Sequence, residues 1–396
     1  MKFPKATFPI AVASAVSLAA QALFSLLMLR LFAPQAVGEF SVISQIAFFW
    51  MTLALAQSPL KLLADLHHPA VCALRAALRG SLLRLVALLP LAWAAVQFSG
   101  LARASLMICW ATALALLQLC WYLAQPFTLR TRSTRAVALG RAAPPFVALV
   151  IAGVWGSLWL PAGSSGLLLA ATSGYAVGAL WLLPSGNGAG TLAAGLIAPA
   201  LAQADSRSAA LRLSHSAADA LAGVAIVLIW QRSYGAAEAG CLAVLLRVLG
   251  FMPALIHSAW AQVLLAQGSR HSASPLWVGL TGAIVTALLG LACASAVQLH
   301  WLSGSWTGMV PYVLPMVLWQ SAACLLAACS HLPFQLGRAS AFSYTAIGFD
   351  ALQILTLGAP LALGYAVEPI PHVWWVGGIS AAGLFGLSFW LSRRPL

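Results

Sequence analysis

Along this chain, apolar stretches of about 20 residues alternate with short polar gaps. They fall at residues 9–31, 40–60, 81–98, 104–126, 144–161, 166–184, 209–230, 239–264, 275–298, 308–330, 342–364 and 371–392. Each is long enough, at about 1.5 Å per residue, to cross a hydrocarbon core of about 30 Å as an α-helix. The pattern predicts an all-α polytopic membrane protein with twelve transmembrane helices. Prolines and glycines punctuate the gaps: Pro144 and Pro145 follow a basic stretch, and Pro184 opens Ser-Gly-Asn-Gly-Ala-Gly. The longest connection, from Leu183 to about Ala209, contains Thr191–Gln203, apolar but interrupted by Pro199. We read it as an interfacial helix between two halves. The expected organisation is an N-terminal six-helix lobe over 1–184, a cytoplasmic linker over 185–208 and a C-terminal six-helix lobe over 209–396.

Composition narrows the class. Of 396 residues, 62% are hydrophobic and 7% charged, too few charges to clothe a water-facing surface. This excludes a soluble enzyme, a nucleic-acid-binding domain and a disordered chain. The net charge of +13 is explained by placement. With the N-terminus in the cytoplasm, that side holds sixteen Lys and Arg residues; the other holds Arg30, Arg103 and Arg232, and Arg247 lies inside a span. The positive-inside rule then puts both termini in the cytoplasm. Lys2 and Lys5 precede Pro9–Leu31, which is too long for a signal-peptide core and reads as a retained first span. The seven cysteines show no CxxC pair and read as small apolar residues.

An internal repeat divides the chain. Arg30-Leu-Phe-Ala-Pro-Gln-Ala-Val-Gly38 and Arg232-Ser-Tyr-Gly-Ala-Ala-Glu-Ala-Gly240 share Arg, an aromatic two residues on and Gly eight on, at an offset of 202. The same offset aligns Ser14 with Ser216, Ser17 with Asp219, Gln21 with Gly223, Gln45 with Arg247 and Phe49 with Phe251. Six spans per repeat give both halves the same orientation, with a site expected between them.

Ionisable groups near the bilayer centre mark cavities or partners. Asp219 lies about 15 Å into the seventh span, Asp350 similarly in the eleventh, and Arg247 about 12 Å in from the opposite face. Arg212, His215, Ser216, Asp219 and Gly223 share one helix face; Ser14, Ser17, Gln21 and Ser25 form a milder version on the first span. Asp350 and Gln353 are neighbours at i, i+3. The plainer alternative is a salt bridge from Arg247 to either acid, and the sequence leaves both open. His215 also fits an interfacial residue, and His257 fits a satisfied core histidine. The Arg130, Arg132, Arg135, Arg141 group reads first as an orientation signal, with a grip on a lipid diphosphate or on the anionic leaflet as the alternative. Most of the sixteen tryptophans lie near span ends; Trp50 and Trp260 are candidates for stacking on sugars. Ser185–Gly190 lacks the strand and lysine of a phosphate loop. There is no HExxH, no GxSxG and no catalytic carboxylate pair, so neither an enzyme nor a cofactor is expected.

Arg30-Leu-Phe-Ala-Pro-Gln-Ala-Val-Gly-Glu-Phe-Ser41 resembles the first-hairpin pattern of the polysaccharide-transport branch of the multidrug/oligosaccharidyl-lipid/polysaccharide exporter superfamily. Ala236-Ala-Glu-Ala-Gly-Cys-Leu-Ala-Val-Leu-Leu-Arg-Val-Leu-Gly-Phe-Met-Pro253 resembles the start of that family's second half. The resemblance implies a flippase of the O-antigen-unit type in a bacterial inner membrane. It would move a polyprenyl-diphosphate-linked oligosaccharide between leaflets by alternating access. The implied partners are that glycan lipid, membrane lipids and glycan polymerase machinery, with no nucleic acid. Arg247, Arg212, His215, Ser17, Gln21 and Gln45 become cavity residues, and Asp219, Asp350 and Gln353 coupling-ion candidates. One rival is a cation-coupled small-molecule exporter, whose cavity acids should dominate. Another is a glycan polymerase or ligase, which needs a long polar outer loop that this chain lacks. A major-facilitator carrier is disfavoured because Lys61–Gly80 lacks its Gly-x-x-x-Asp-Arg-type loop.

Overall fold

The structure, a computed structural model, describes residues 7–65, 67–131, 134–159, 163–182, 206–257 and 274–392. Its helices run α1 (Thr7–Leu31), α2 (Pro34–Leu55), α3 (Ser58–Ala64), α4 (Ala70–Ala87), α5 (Leu89–Phe98), α6 (Ala104–Thr131), α7 (Thr134–Leu158) and α8 (Ser164–Leu182). There follow α9 (Ser206–Tyr234), α10 (Ala236–Leu249), α11 (Phe251–Leu255), α12 (Pro275–Gln298), α13 (Val310–Cys329), α14 (Leu332–Gln335), α15 (Ala339–Leu363) and α16 (Pro369–Ser392). Among the described residues, ten segments are long and apolar enough to cross a membrane, and the bent pair α4–α5 makes an eleventh. The apolar α1 completes twelve. Each predicted stretch overlaps one of these spans, and the chain is a twelve-helix membrane protein of two six-helix lobes.

The differences from expectation have local causes. The third span is bent by 45° where Pro90 enters the first turn of α5, since proline supplies no backbone N–H there. Pro144 and Pro145 lie inside α7 instead of ending a gap. Neighbouring helices make interior proline tolerable in a membrane, and α8 packs against this site through Gly174 and Gly178, where a Cβ would overlap Pro144. The helix expected over 239–264 pauses at Gly250. The expected linker at 185–208 lies almost wholly outside the described residues, as do Trp260 and the Ser185–Gly190 turn.

Packing divides the chain into two compact units: residues 1–27 with 39–224, and residues 28–38 with 225–396. In the first, α6, α7 and α8 pack closely; a Cβ on Gly140 would overlap Leu182. In the second, small residues again admit close helix approach. Gly279 and Gly282 of α12 lie against Leu325 and Cys324 of α13, and Gly377 of α16 against Pro315.

The repeat is visible as a contact inside the second unit. A Cβ on Gly38 would overlap the carbonyl oxygen of Ala236, and one on Gly240 the carbonyl oxygen of Pro34. Adding 202 to Pro34 and Gly38 gives Ala236 and Gly240. The contact therefore maps onto itself when the two hairpins are exchanged, as an isologous two-fold contact must. Gly235, at φ +86°, makes the tight turn between α9 and α10.

Candidate functional site

Six of the nine nominated residues fall in the first unit: Ser17, Gln21, Gln45, Arg212, His215 and Asp219. On α1 the predicted polar face is present. Ser25 Oγ donates to the Gln21 carbonyl at 3.0 Å, Gln21 Nε2 to Ser17 Oγ at 3.4 Å, and Ser17 Oγ to the Arg141 carbonyl of α7 at 3.4 Å. Gln45 of α2 is half-buried, and a Cβ on Gly223 would lie 3.9 Å from its Oε1. On the first half of α9, Arg212 and Asp219 expose their side chains and His215 is half-buried. Asp219 stands near the middle of this 29-residue helix.

Arg247, Asp350 and Gln353 belong to the second unit. Arg247 is half-buried in the last turn of α10, with Nη1 3.6 Å from Met28 Sδ. Asp350 and Gln353 are buried on one face of α15, and Gln353 Nε2 donates to Ser380 Oγ of α16 at 2.7 Å. Among the described residues, no group of three His, Cys, Asp or Glu side chains is arranged to hold a metal ion.

Several nominations change character. Trp50 is 3% exposed and its Nε1 donates to the Leu85 carbonyl at 2.8 Å, so it is a packing residue and not a sugar platform. His257 is exposed and bonded to Ser330 Oγ at 3.2 Å, not a core histidine. Arg130 donates to the carbonyls of Leu62 (2.9 Å) and His68 (3.0 Å), fastening the chain after α3. Beside that fastening, the half-buried Asp65 accepts from the exposed His68, which holds its carboxyl below the usual carboxylate range.

Two acids escaped the sequence reading. Glu39 of α2 accepts from Ser164 Oγ at 2.6 Å, and Glu238 of α10 accepts from Tyr312 Oη at 2.5 Å. The expected spans began at 40 and 239, one residue beyond each acid. Pro34 at the head of α2 and Gly235 before α10 are start signals that move both acids into their helices. Near Glu238 lies an aromatic cluster. Trp230 stacks on His372 with ring centres 5.0 Å apart, and Tyr234 Oη meets His372 Nδ1 at 2.7 Å.

No family model matches the chain, and no curated protein matches it. Solved structures do. A lipid II flippase, MurJ, in an inward closed conformation superposes with a TM-score of 0.63 at 10% identity, over 98% of this chain and 88% of that one. A eukaryotic MATE transporter gives 0.55 at 16% identity, over 96% and 93%. An inward-facing multidrug MATE transporter of the MOP superfamily gives 0.52 at 11%, over 96% and 94%. At these identities the likeness is one of fold, and the fold is that of MurJ and the MATE transporters.

Proposed function

We propose that the chain is a flippase that carries a polyprenyl-diphosphate-linked oligosaccharide, an O-antigen or exopolysaccharide repeat unit, across a bacterial cytoplasmic membrane. The observation that carries this reading is Arg247, a half-buried cation well inside a span, in a fold shared with the lipid II flippase MurJ. The hairpin resemblance at Arg30–Ser41 and Ala236–Pro253 supplies the glycan class. Both termini lie in the cytoplasm on this reading, and the two lobes work by alternating access.

An arginine at the bilayer centre costs about 2.5–3.5 kcal/mol on insertion scales. A diphosphate offsets this through two charge-assisted bonds of about 1.5–3 kcal/mol each. Losing both weakens binding by about two to four decades at about 1.4 kcal/mol per decade. Asp219 and Asp350, with Gln353 beside the latter, are the groups to bind the proton or cation that resets the carrier.

Arg247→Gln copies Gln45 of the first half. It is expected to insert and fold but to fail in complementation of surface glycan, while Arg247→Lys, which lacks the planar fork, retains part of the activity. Restored activity on adding Asp219→Asn or Asp350→Asn to Arg247→Gln would reveal a mere salt bridge and remove the ligand reading. Each acid alone changed to Asn is expected to slow transport with insertion intact. Drug efflux without glycan export would favour the cation-coupled exporter.

A further inference from the structure

A second cation lies inside a span of the first unit, where the sequence placed only a flanking charge. Arg141 sits in α7, five residues into its membrane-spanning part, and is half-buried. Its Nε donates to Gln125 Oε1 of α6 at 2.9 Å. Gln125 is 8% exposed, so a buried neutral amide meets the guanidinium and leaves its charge uncompensated. Among the described residues no carboxylate pairs with Arg141. Nη1 and Nη2 make no hydrogen bond to a described residue, so the outer fork is open.

The position is held from several sides. Trp121 Nε1 donates to the carbonyl of Gly140, one residue before Arg141, at 2.9 Å. Ser17 Oγ donates to the carbonyl of Arg141 itself. Gly140 packs on Leu182 so closely that no side chain fits. The guanidinium is thus carried on a backbone fixed by α1, α6 and α8, which limits its retreat toward the membrane surface. Two turns before Gln125, on the same face of α6, Gln118 is 4% exposed and its Oε1 has no hydrogen-bond partner among the described residues. A buried acceptor of this kind calls for a donor and not for an anion, so Gln118 stands apart from the anion site at Arg141.

We infer that Arg141, held by Gln125, forms an oxyanion site in the first unit that takes the phosphate of a lipid, with Arg141 as the bidentate donor. A planar fork whose inner nitrogen is already tied down presents its two outer nitrogens in the geometry of a phosphate edge. The site stands on the geometry of this unit alone; the choice of ligand rests on the flippase reading. Two lipids carry the same chemistry, the transported polyprenyl diphosphate and an anionic phospholipid of the bilayer.

The discriminating variant is Gln125→Glu, which places a carboxylate on Arg141 without removing a single packing atom. In the full chain, reconstituted in phosphatidylcholine nanodiscs, binding is measured for a polyprenyl diphosphate and, separately, for phosphatidylglycerol. The Arg247→Gln background keeps the other cation out of the measurement. The thermal midpoint of Gln125→Glu should hold or rise, while binding falls at least about tenfold, the scale of one charge-assisted bond. Arg141→Gln should fall as far and Arg141→Lys by less. Loss confined to the polyprenyl diphosphate makes this part of the transport path. Loss confined to phosphatidylglycerol upholds the oxyanion site with a bilayer lipid in it, and counts against the flippase substrate instead. Unchanged binding of both probes in Gln125→Glu, with a raised thermal midpoint, overturns the inference and leaves Arg141 as a packing residue.

Discussion

Arg130 and Arg141 belong to one basic stretch, yet they do different work. Arg130 ties two backbone carbonyls near the end of α6, while Arg141 stands inside α7 against an amide. Charge placement alone reads both as orientation signals, because a positive-inside count registers a cation and not what its nitrogens touch. The two roles separate by substitution. Arg130→Lys keeps the charge that orients the chain but cannot span both carbonyls. Its topology should be unchanged while its thermal midpoint falls nearly as far as that of Arg130→Ala. Bonds to charged groups contribute about 1.5–3 kcal/mol when buried, and less at the exposed His68 end. A lysine variant as stable as the parent would show that the fastening carries no load.

Among the elements, the two glycines at the hairpins carry the most specific prediction. Gly38→Ala and Gly240→Ala each drive a methyl into a main-chain carbonyl, which cannot rotate aside. Overpacking of this kind costs about 1–3 kcal/mol or more. Gly235→Ala meets nothing within 4 Å and strains only its backbone, at φ +86° and ψ 176°, at about 1–3 kcal/mol. Detergent-solubilised variants ranked by thermal midpoint should place both hairpin glycines below Gly235; equal shifts would deny the close contact. The pairing of Gly38 with Gly240 was legible in the sequence as an offset, and so were all twelve spans, because apolar runs of this length have one physical use. Helix ends were less legible. Apolar counting begins a span at its first unbroken run, so it passed over the starts at Pro34 and Ala236 and set Glu39 and Glu238 outside. Gln118 and Gln125 were illegible for another reason: an amide in a span gains meaning only from its neighbour on the next helix.

For the whole molecule, the sixteen-to-three division of bases predicts that reporter fusions after Arg135 and after Arg394 both signal cytoplasm. A periplasmic signal from either breaks the arrangement of two six-span repeats in the same orientation. Within that arrangement the halves are chemically unlike: Arg247 corresponds to Gln45, Arg141 to Ser343 and Asp350 to Ala148 at the offset of 202.

Such divergence raises the question of how two halves can drift apart and still meet. The hairpins touch through main chain, glycine against carbonyl, and main chain is the one part of a protein that every amino acid supplies alike. A side-chain interface would oblige each half to answer a mutation in the other with a compensating one. At the closest point of that contact only Gly38 and Gly240 are so bound. Positions away from that contact can specialise, one copy holding a charge where its twin holds an amide, without the glycine seam having to be rewritten.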